Sequence, residues 1–376
     1  MAPRFRVTYA TLSADNDDLH TAYEQGLQTA RSWFGSTLPV YVDGESRTTG
    51  ETSEVRSPVD TSIVLCRVHS ATPADVADAV AAARRAVGSW AGTPWQERVT
   101  LLRRAADLIS ERSNELAALM SMEVGKNRLE ALGDVEESAD LIRYYCTQLE
   151  SHEGFSFAMD TIAEHETTRS VLRPYGVWGV ISPFNFPMAL AAGPAGGALA
   201  AGNTVVLKPS PQGSFSAAKL YECLRDARLP AGVLHVVPGG DEVGQGLVSN
   251  ADVDGLTFTG SYAVGMSIYR SLATSFPKPV VCEMGGKNPT IVSRKADLDL
   301  AAAGIVRSAF GFFSRRAATR FRPTLSYITA AIESRLRVCA HEVPPSVRWP
   351  TLSRCAGRPQ PSPAMLAARS SCTRAG

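Results

Sequence analysis

The sequence predicts an α/β protein with a doubly wound parallel sheet, of the Rossmann-like kind that binds nucleotides. Two observations carry that expectation. Between Arg173 and Glu283, short apolar runs rich in β-branched residues alternate with helical stretches. Such alternation implies right-handed βαβ units and a parallel sheet. The region before Arg173 is helical by periodicity, and the 376 residues, 44% hydrophobic and 20% charged, suit a globular chain with room for two domains.

A short strand-like segment at 39–43 leads into the helical region. A helix over 72–90 follows: Thr72 suits a cap, Pro73 the first turn and Asp75 the third position of a capping box. Val76, Val80, Ala83 and Val87 form its apolar stripe. Thr93, Pro94 and Gln96 predict the opening of a second helix, with Val99, Leu102, Ala106 and Ile109 on one face. A third runs through 129–149. The alternating part predicts strands at 177–181, 204–208, 233–237, 255–259 and 279–283, with helices at 187–201 and 214–226 between them.

The net charge of +1 conceals an asymmetry. Residues 313–376 hold eleven Arg, no Lys or Asp, and only Glu333 and Glu342, which gives +9 and leaves −8 for the first 312 residues. Seven prolines and eight serines are scattered through the same tail, which reads as disordered apart from a short helical stretch at 328–338. The overall balance implies neither a nucleic-acid nor a membrane partner. No apolar run approaches the roughly 20 residues of a membrane helix, and Asp15, Asp17 and Asp18 spoil a signal-peptide reading. Seven cysteines without paired spacing point to reduced thiols in a cytoplasmic protein, and no metal is expected.

Four segments carry the chemistry: SPFNFP at 182–187, GNTVVLKPS at 202–210, FTGS at 258–261 and EMGGKNP at 283–289. Each alone is weak. In this order across a βαβ domain they resemble the aldehyde dehydrogenase superfamily, NAD(P)+-dependent, over about residues 36–312. The resemblance implies a cofactor domain over 36–282 with a helical N-terminal part, preceded by an extension over 1–35. The start of a catalytic domain would occupy 283–312, with the tail after it. An oligomerisation hairpin is expected near 160–173, since family members form homo-oligomers.

By the same resemblance Asn185 is the amide donor to the oxygen that becomes negative as the aldehyde is attacked; losing such a donor costs on the order of 3 kcal/mol elsewhere. The plain alternative is an Asn making a turn between prolines. Glu283 is the expected general base, with Gly285 beside it for freedom to swing; alone it would read as a surface Glu. Lys208 ends a strand where a cofactor lies in such folds, and the resemblance assigns it the adenosine ribose. Gly240, Gly244, Thr259, Gly260 and Ser261 are implied on the pyrophosphate side; their spacing is not GxGxxG, so by pattern alone they are ordinary turns. Ile181, Ser182, Pro183, Phe184, Ser210, Val264 and Met284 complete the implied cofactor-binding set. The cofactor is NAD or NADP, with NAD favoured, although Pro211 stands where the family often has a Glu that disfavours a 2′-phosphate. Cys282, next to the base, should point to the opposite face and be a buried structural thiol, like Cys66, Cys146 and Cys223.

The nucleophile is missing. Family members continue from a stretch like Gly304–Phe312 into x-G-Q-x-C, and here Ala317 occupies the cysteine's place. Codons for 317–321, read from the third base, can spell Cys-Asp-Ala-Ile, so a frameshift is one explanation and a natural remodelled tail the other. The expectation is a dehydrogenase-family protein, inactive as written, whose intact relatives oxidise an aldehyde. Residues 129–145 and FTGSYAVGM resemble the branch acting on glutamate semialdehyde. A non-catalytic nucleotide-binding or subunit-modulating protein is the alternative from another class, and an unstable product with neither property is a third.

Overall fold

In the computed structural model the described residues are 12, 15–273, 276–286, 290–293 and 295–310, the side chains of 306–310 excepted. Ala317, the tail and the helical stretch expected at 328–338 lie outside them. The chain divides into two compact units, the first reaching to Asn288 and the second beginning at Pro289.

The first unit opens with helix α1 (Asp17–Arg31), capped by Asn16, whose Oδ1 accepts the Leu19 N–H at 3.1 Å. Its buried face, Leu19, Tyr23 and Ala30, joins the main core, and Tyr23 Oη donates to Ser121 Oγ at 2.6 Å. Part of the expected extension is therefore packed. Short strands follow: β1 (Ser36–Leu38), β2 (Val40–Val42), β3 (Glu45–Arg47), β4 (Thr52–Arg56) and β5 (Val64–His69). β1, β5 and β4 form a small sheet of their own.

Four helices come next: α2 (Pro73–Gly92), α3 (Trp95–Glu111), α4 (Ser113–Val124) and α5 (Arg128–Ser151). The Thr72–Asp75 capping box closes on α2 as its sequence requires. The opening expected at Thr93 for the next helix is corrected. Thr93 is the C-cap of α2, with its hydroxyl donating back to the Ser89 carbonyl at 2.9 Å, and α3 starts after Pro94 without a side-chain cap. β6 (Ser156–Met159) and β7 (Thr168–Val171) pair antiparallel into a hairpin that leaves Phe157, Met159, Ile162, Val171 and Leu172 exposed.

The sheet expected from the alternation is formed by β8 (Val177–Ile181), β9 (Thr204–Lys208), β10 (Leu234–Val236), β11 (Gly255–Gly260) and β12 (Val280–Met284), all parallel. Helices α6 (Ala189–Ala201), α7 (Ser214–Asp226), α8 (Asp241–Ser249) and α9 (Tyr262–Leu272) connect them. The order is β12-β11-β8-β9-β10-β2-β3, the last two antiparallel to their neighbours. Alternation along β9 sends Val205 and Leu207 into the core under α3, α5, α6 and α7, and Val206 into the core under α2 and α8. Both faces of β8, β9 and β10 are covered, which is why these strands read as continuous apolar runs. After β10 the chain returns across β8 to lay down β11, so strand order reverses beside β8. A ligand crevice is expected there, outside the carboxyl ends.

The second unit contributes one described helix, α10 (Leu298–Phe310), whose first turn Asp297 caps by accepting the Asp299 and Leu300 N–H groups. No helix of the described residues is long and apolar enough to cross a membrane.

Candidate active site

Strand register brings the motif residues together. Ile181 pairs with both Lys208 and Phe258, Thr259 with Glu283, and Gly260 with Met284. The carboxyl ends of β8, β9, β11 and β12 thus stand side by side, and the SPFNFP loop leaves from β8 in their midst. The turn at 211–213 packs against that loop: a Cβ at Gly213 would stand 2.9 Å from Pro187 Cβ and 3.6 Å from Phe184 Cα.

Lys208 is 6% exposed, with its ammonium donating to the Pro209 carbonyl at 3.1 Å. Burial pushes it down to about 8, against the opposing pull of the Asp241 carboxylate. A buried cation without a counter-ion in contact is costly unless something arrives to use it. Beside it the Ser182 hydroxyl is buried without a hydrogen-bond partner, while the Ser182 N–H donates to the Lys208 carbonyl at 3.1 Å. A Cβ at Gly244 would lie 3.6 Å from Lys208 Cδ and Cε, and one at Gly240, four residues earlier, would meet nothing within 4 Å. An orphaned hydroxyl, an underused ammonium and open glycine surface fit the ribose and phosphate side of a dinucleotide. Ser210 is turned to its own loop, donating to Gln212 Oε1 at 2.7 Å. Ser261 caps α9, accepting the Val264 N–H at 3.3 Å, so it sits at the helix N-terminus next to the ends of β11 and β12. α9 reaches the sheet through Gly265, where a Cβ would lie 2.4 Å from Met284 Sδ.

Around Asn185 the structure adds residues that motif reading missed. Lys126 and Asp134 form an ion pair at 2.8 Å with both side chains fully buried. The Lys126 ammonium also lies 3.4 Å from the centroid of the Phe186 ring. Asp134 Oδ1 accepts the N–H of Ala189, the first residue of α6, at 2.8 Å. Burial lowers the Lys126 ammonium and raises the Asp134 carboxyl from their usual ranges, each offset in part by the other's charge. The loop is therefore pinned at its start by the Ser182 N–H bond to Lys208 of β9 and at its end by Asp134. Asn185 is held half-buried between these pins, with no hydrogen-bond partner for its amide among the described residues.

Glu283 is exposed at the end of β12. Glu137, one helical turn beyond Asp134 on α5, is raised by partial burial, then by the negative charges of Asp134 and Glu283. A second carboxyl thus stands near the expected base. Cys282 points away from both, its Sγ donating to the Gly265 carbonyl at 3.6 Å. The opposite-face expectation holds, but the buried-thiol reading needs correcting: β12 is the last strand of the sheet, and Cys282 is only partly covered. Cys66, Cys146 and Cys223 are buried as expected, and burial raises their thiols, the last two to about 11. None is poised as a thiolate. Among the described residues no group of three His, Cys, Asp or Glu converges to hold a metal ion.

Comparison with known proteins shows the family. The model of the aldehyde dehydrogenase family matches residues 44–317. A 1-pyrroline-5-carboxylate dehydrogenase of Staphylococcus epidermidis is 37% identical over 300 residues, 78% of this chain and 58% of that protein. The protein of that name from Anoxybacillus flavithermus is 39% identical over 302 residues, with the same coverage. Among solved structures, 1-pyrroline-5-carboxylate dehydrogenase from Thermus with bound NAD superposes with a TM-score of 0.76 at 33% identity, covering 83% of this chain and 61% of that one. An NAD-dependent aldehyde dehydrogenase from Sinorhizobium meliloti gives 0.74 at 32% identity, covering 88% and 64%. The chain spans under three-fifths of the length of the curated relatives.

Proposed function

The chain belongs to the aldehyde dehydrogenase family, and from that premise we propose that it keeps the cofactor-binding half of an aldehyde-oxidising site but has lost the group that starts the chemistry. What supports this is Ala317, which stands where the resemblance to the family implies the nucleophilic cysteine. The family match ends at that residue.

In this reading Lys208 and the Ser182 hydroxyl hold the adenosine ribose, while the glycines at 240 and 244 and the α9 N-terminus with Ser261 face the pyrophosphate. When bound, the nicotinamide supplies the hydride acceptor. Asn185, kept in place by the two pins of its loop, presents its amide to the aldehyde oxygen, where negative charge grows. Glu283 accepts a proton. Without a thiolate no covalent adduct forms, and loss of a nucleophile elsewhere lowers turnover on the order of a millionfold. The relatives' names make glutamate semialdehyde, the open form of 1-pyrroline-5-carboxylate, the aldehyde of choice, and NAD is the favoured cofactor.

The test separates binding from turnover. Calorimetric titration with NAD+ should show one site per chain, while incubation with 1-pyrroline-5-carboxylate and NAD+ should give no rise in absorbance at 340 nm (the NADH band) above the uncatalysed rate. Family-like turnover would refute the inactive assignment; absence of NAD+ binding would refute the cofactor site.

A further inference from the structure

The cofactor site carries a charge whose placement bears on which nucleotide it accepts. Lys208 ends β9 with a buried ammonium. Asp241 begins α8, and Gly244, three residues on, shares its face of the helix. That face looks onto Lys208, because a Cβ on Gly244 would fall 3.6 Å from the lysine's Cδ and Cε. The Asp241 carboxylate is exposed, and its charge acts on the Lys208 ammonium. The turn that follows Lys208, residues 209–213, is Pro-Ser-Pro-Gln-Gly and brings no acid and no second cation. Glu242, the next acid in the first turn of α8, is one residue further round the helix, so Asp241 is the carboxylate on the face that looks onto Lys208.

We propose that Asp241 selects the cofactor, accepting a hydrogen bond from the free 2′-hydroxyl of an adenosine ribose and repelling a 2′-phosphate. The proposal rests on the cofactor site described above. A ribose hydroxyl can donate to the carboxylate and accept from Lys208 at once. A phosphate with nearly two negative charges offers no proton and meets the Asp241 carboxylate with a single lysine to balance it. Acid against hydroxyl, and Arg against phosphate, is the general division between the two cofactors in nucleotide-binding folds.

The experiment is calorimetric titration of the full chain with NAD+ and with NADP+, for the unchanged protein, Asp241→Asn and Asp241→Ser, with circular dichroism to verify folding. The unchanged protein should bind NAD+ about tenfold tighter than NADP+ or better. Both variants should narrow that ratio at least about fivefold, mainly by tightening NADP+. Ratios unchanged in both folded variants, or a preference for NADP+ in the unchanged protein, would overturn the role of Asp241 while leaving the cofactor site standing. If neither nucleotide binds the unchanged protein, the cofactor site itself is wrong and this assignment falls with it.

Discussion

Replacing Asp134 with Ala should be among the most damaging single changes in the first unit. The substitution strands the Lys126 ammonium, fully buried and 2.8 Å from the carboxylate it loses, and removes the acceptor of the Ala189 N–H. An unpaired buried lysine does best by giving up its proton. At pH 7 that costs about 5 kcal/mol for a group that ordinarily titrates near 10.4, which caps the electrostatic part. The Phe186 face and residual water access reduce it; loss of the Ala189 bond adds about 1 kcal/mol. A total of about 3 to 5 kcal/mol is expected, as for other broken buried pairs. Urea unfolding followed by tryptophan fluorescence gives the number from the midpoint shift at a common slope. Since the unfolded lysine keeps its proton up to about pH 10, the penalty should shrink by about 1.4 kcal/mol per pH step between 7 and 10. The paired change Lys126→Met with Asp134→Leu should cost less than Asp134→Ala alone. A penalty below about 1 kcal/mol, or one flat with pH, would refute the reasoning.

Two buried groups should tilt stability in opposite directions with pH. Glu123, whose oxygens accept the Phe215 and Ser216 N–H groups at 2.7 and 3.0 Å, is raised by burial to about 7, so its contribution is lost as pH rises from 4.5 to 7. His235, with Nδ1 accepting the Asp43 N–H at 3.0 Å and Nε2 beside the Gly232 carbonyl, is lowered by burial to about 4, so its contribution is lost as pH falls from 6.5 to 4. Unfolding curves should therefore show Glu123→Gln gaining on the unchanged protein by about 3 kcal/mol between pH 4.5 and 7; a constant difference would contradict the Glu123 assignment. Lys208, held near 8 by burial, burdens the fold below that pH and ceases to do so as pH rises to 10.5. Lys208→Met should raise stability by up to about 3 kcal/mol at pH 7 while weakening NAD+ binding in the same calorimetric assay. A destabilised variant would show that the lysine is structural.

Much of this was legible in the residues. β8, β9 and α7 fall at the expected bounds, because β-branched runs between glycine and proline punctuation admit little else. α4 was not legible: Leu116 to Met120 are all buried, and a helix apolar on every side has no stripe to read. α1 falls within the stretch expected only as an extension; Asn16 caps it, and Asp17 and Asp18 fill its first turn. In the site, SPFNFP and EMGGKNP are what single out Asn185 and Glu283 as candidates. Lys126 and Asp134, which hold the end of the first loop, and Glu137 near Glu283 look in sequence like the solvated face of a charged helix. Only the approach of α5 to α6 buries the first two, and no local spacing encodes that approach.

The place of β12 in the sheet has a dynamic consequence. Among the described residues it bonds to β11 alone, with Val281 and Glu283 turned outward. A strand in the middle of the sheet must shed two ladders of hydrogen bonds to come loose, and this one must shed a single ladder. Its amides belong to the low-energy end of the opening spectrum, where local fraying precedes global unfolding. The carboxylate expected to move protons thus rides on one of the most easily released strands of the fold, while the loop carrying the amide expected to steady the oxygen is tied at its end, through the Ala189 N–H, to the buried Lys126–Asp134 pair. Reach and rigidity are divided between the two sides of the same crevice.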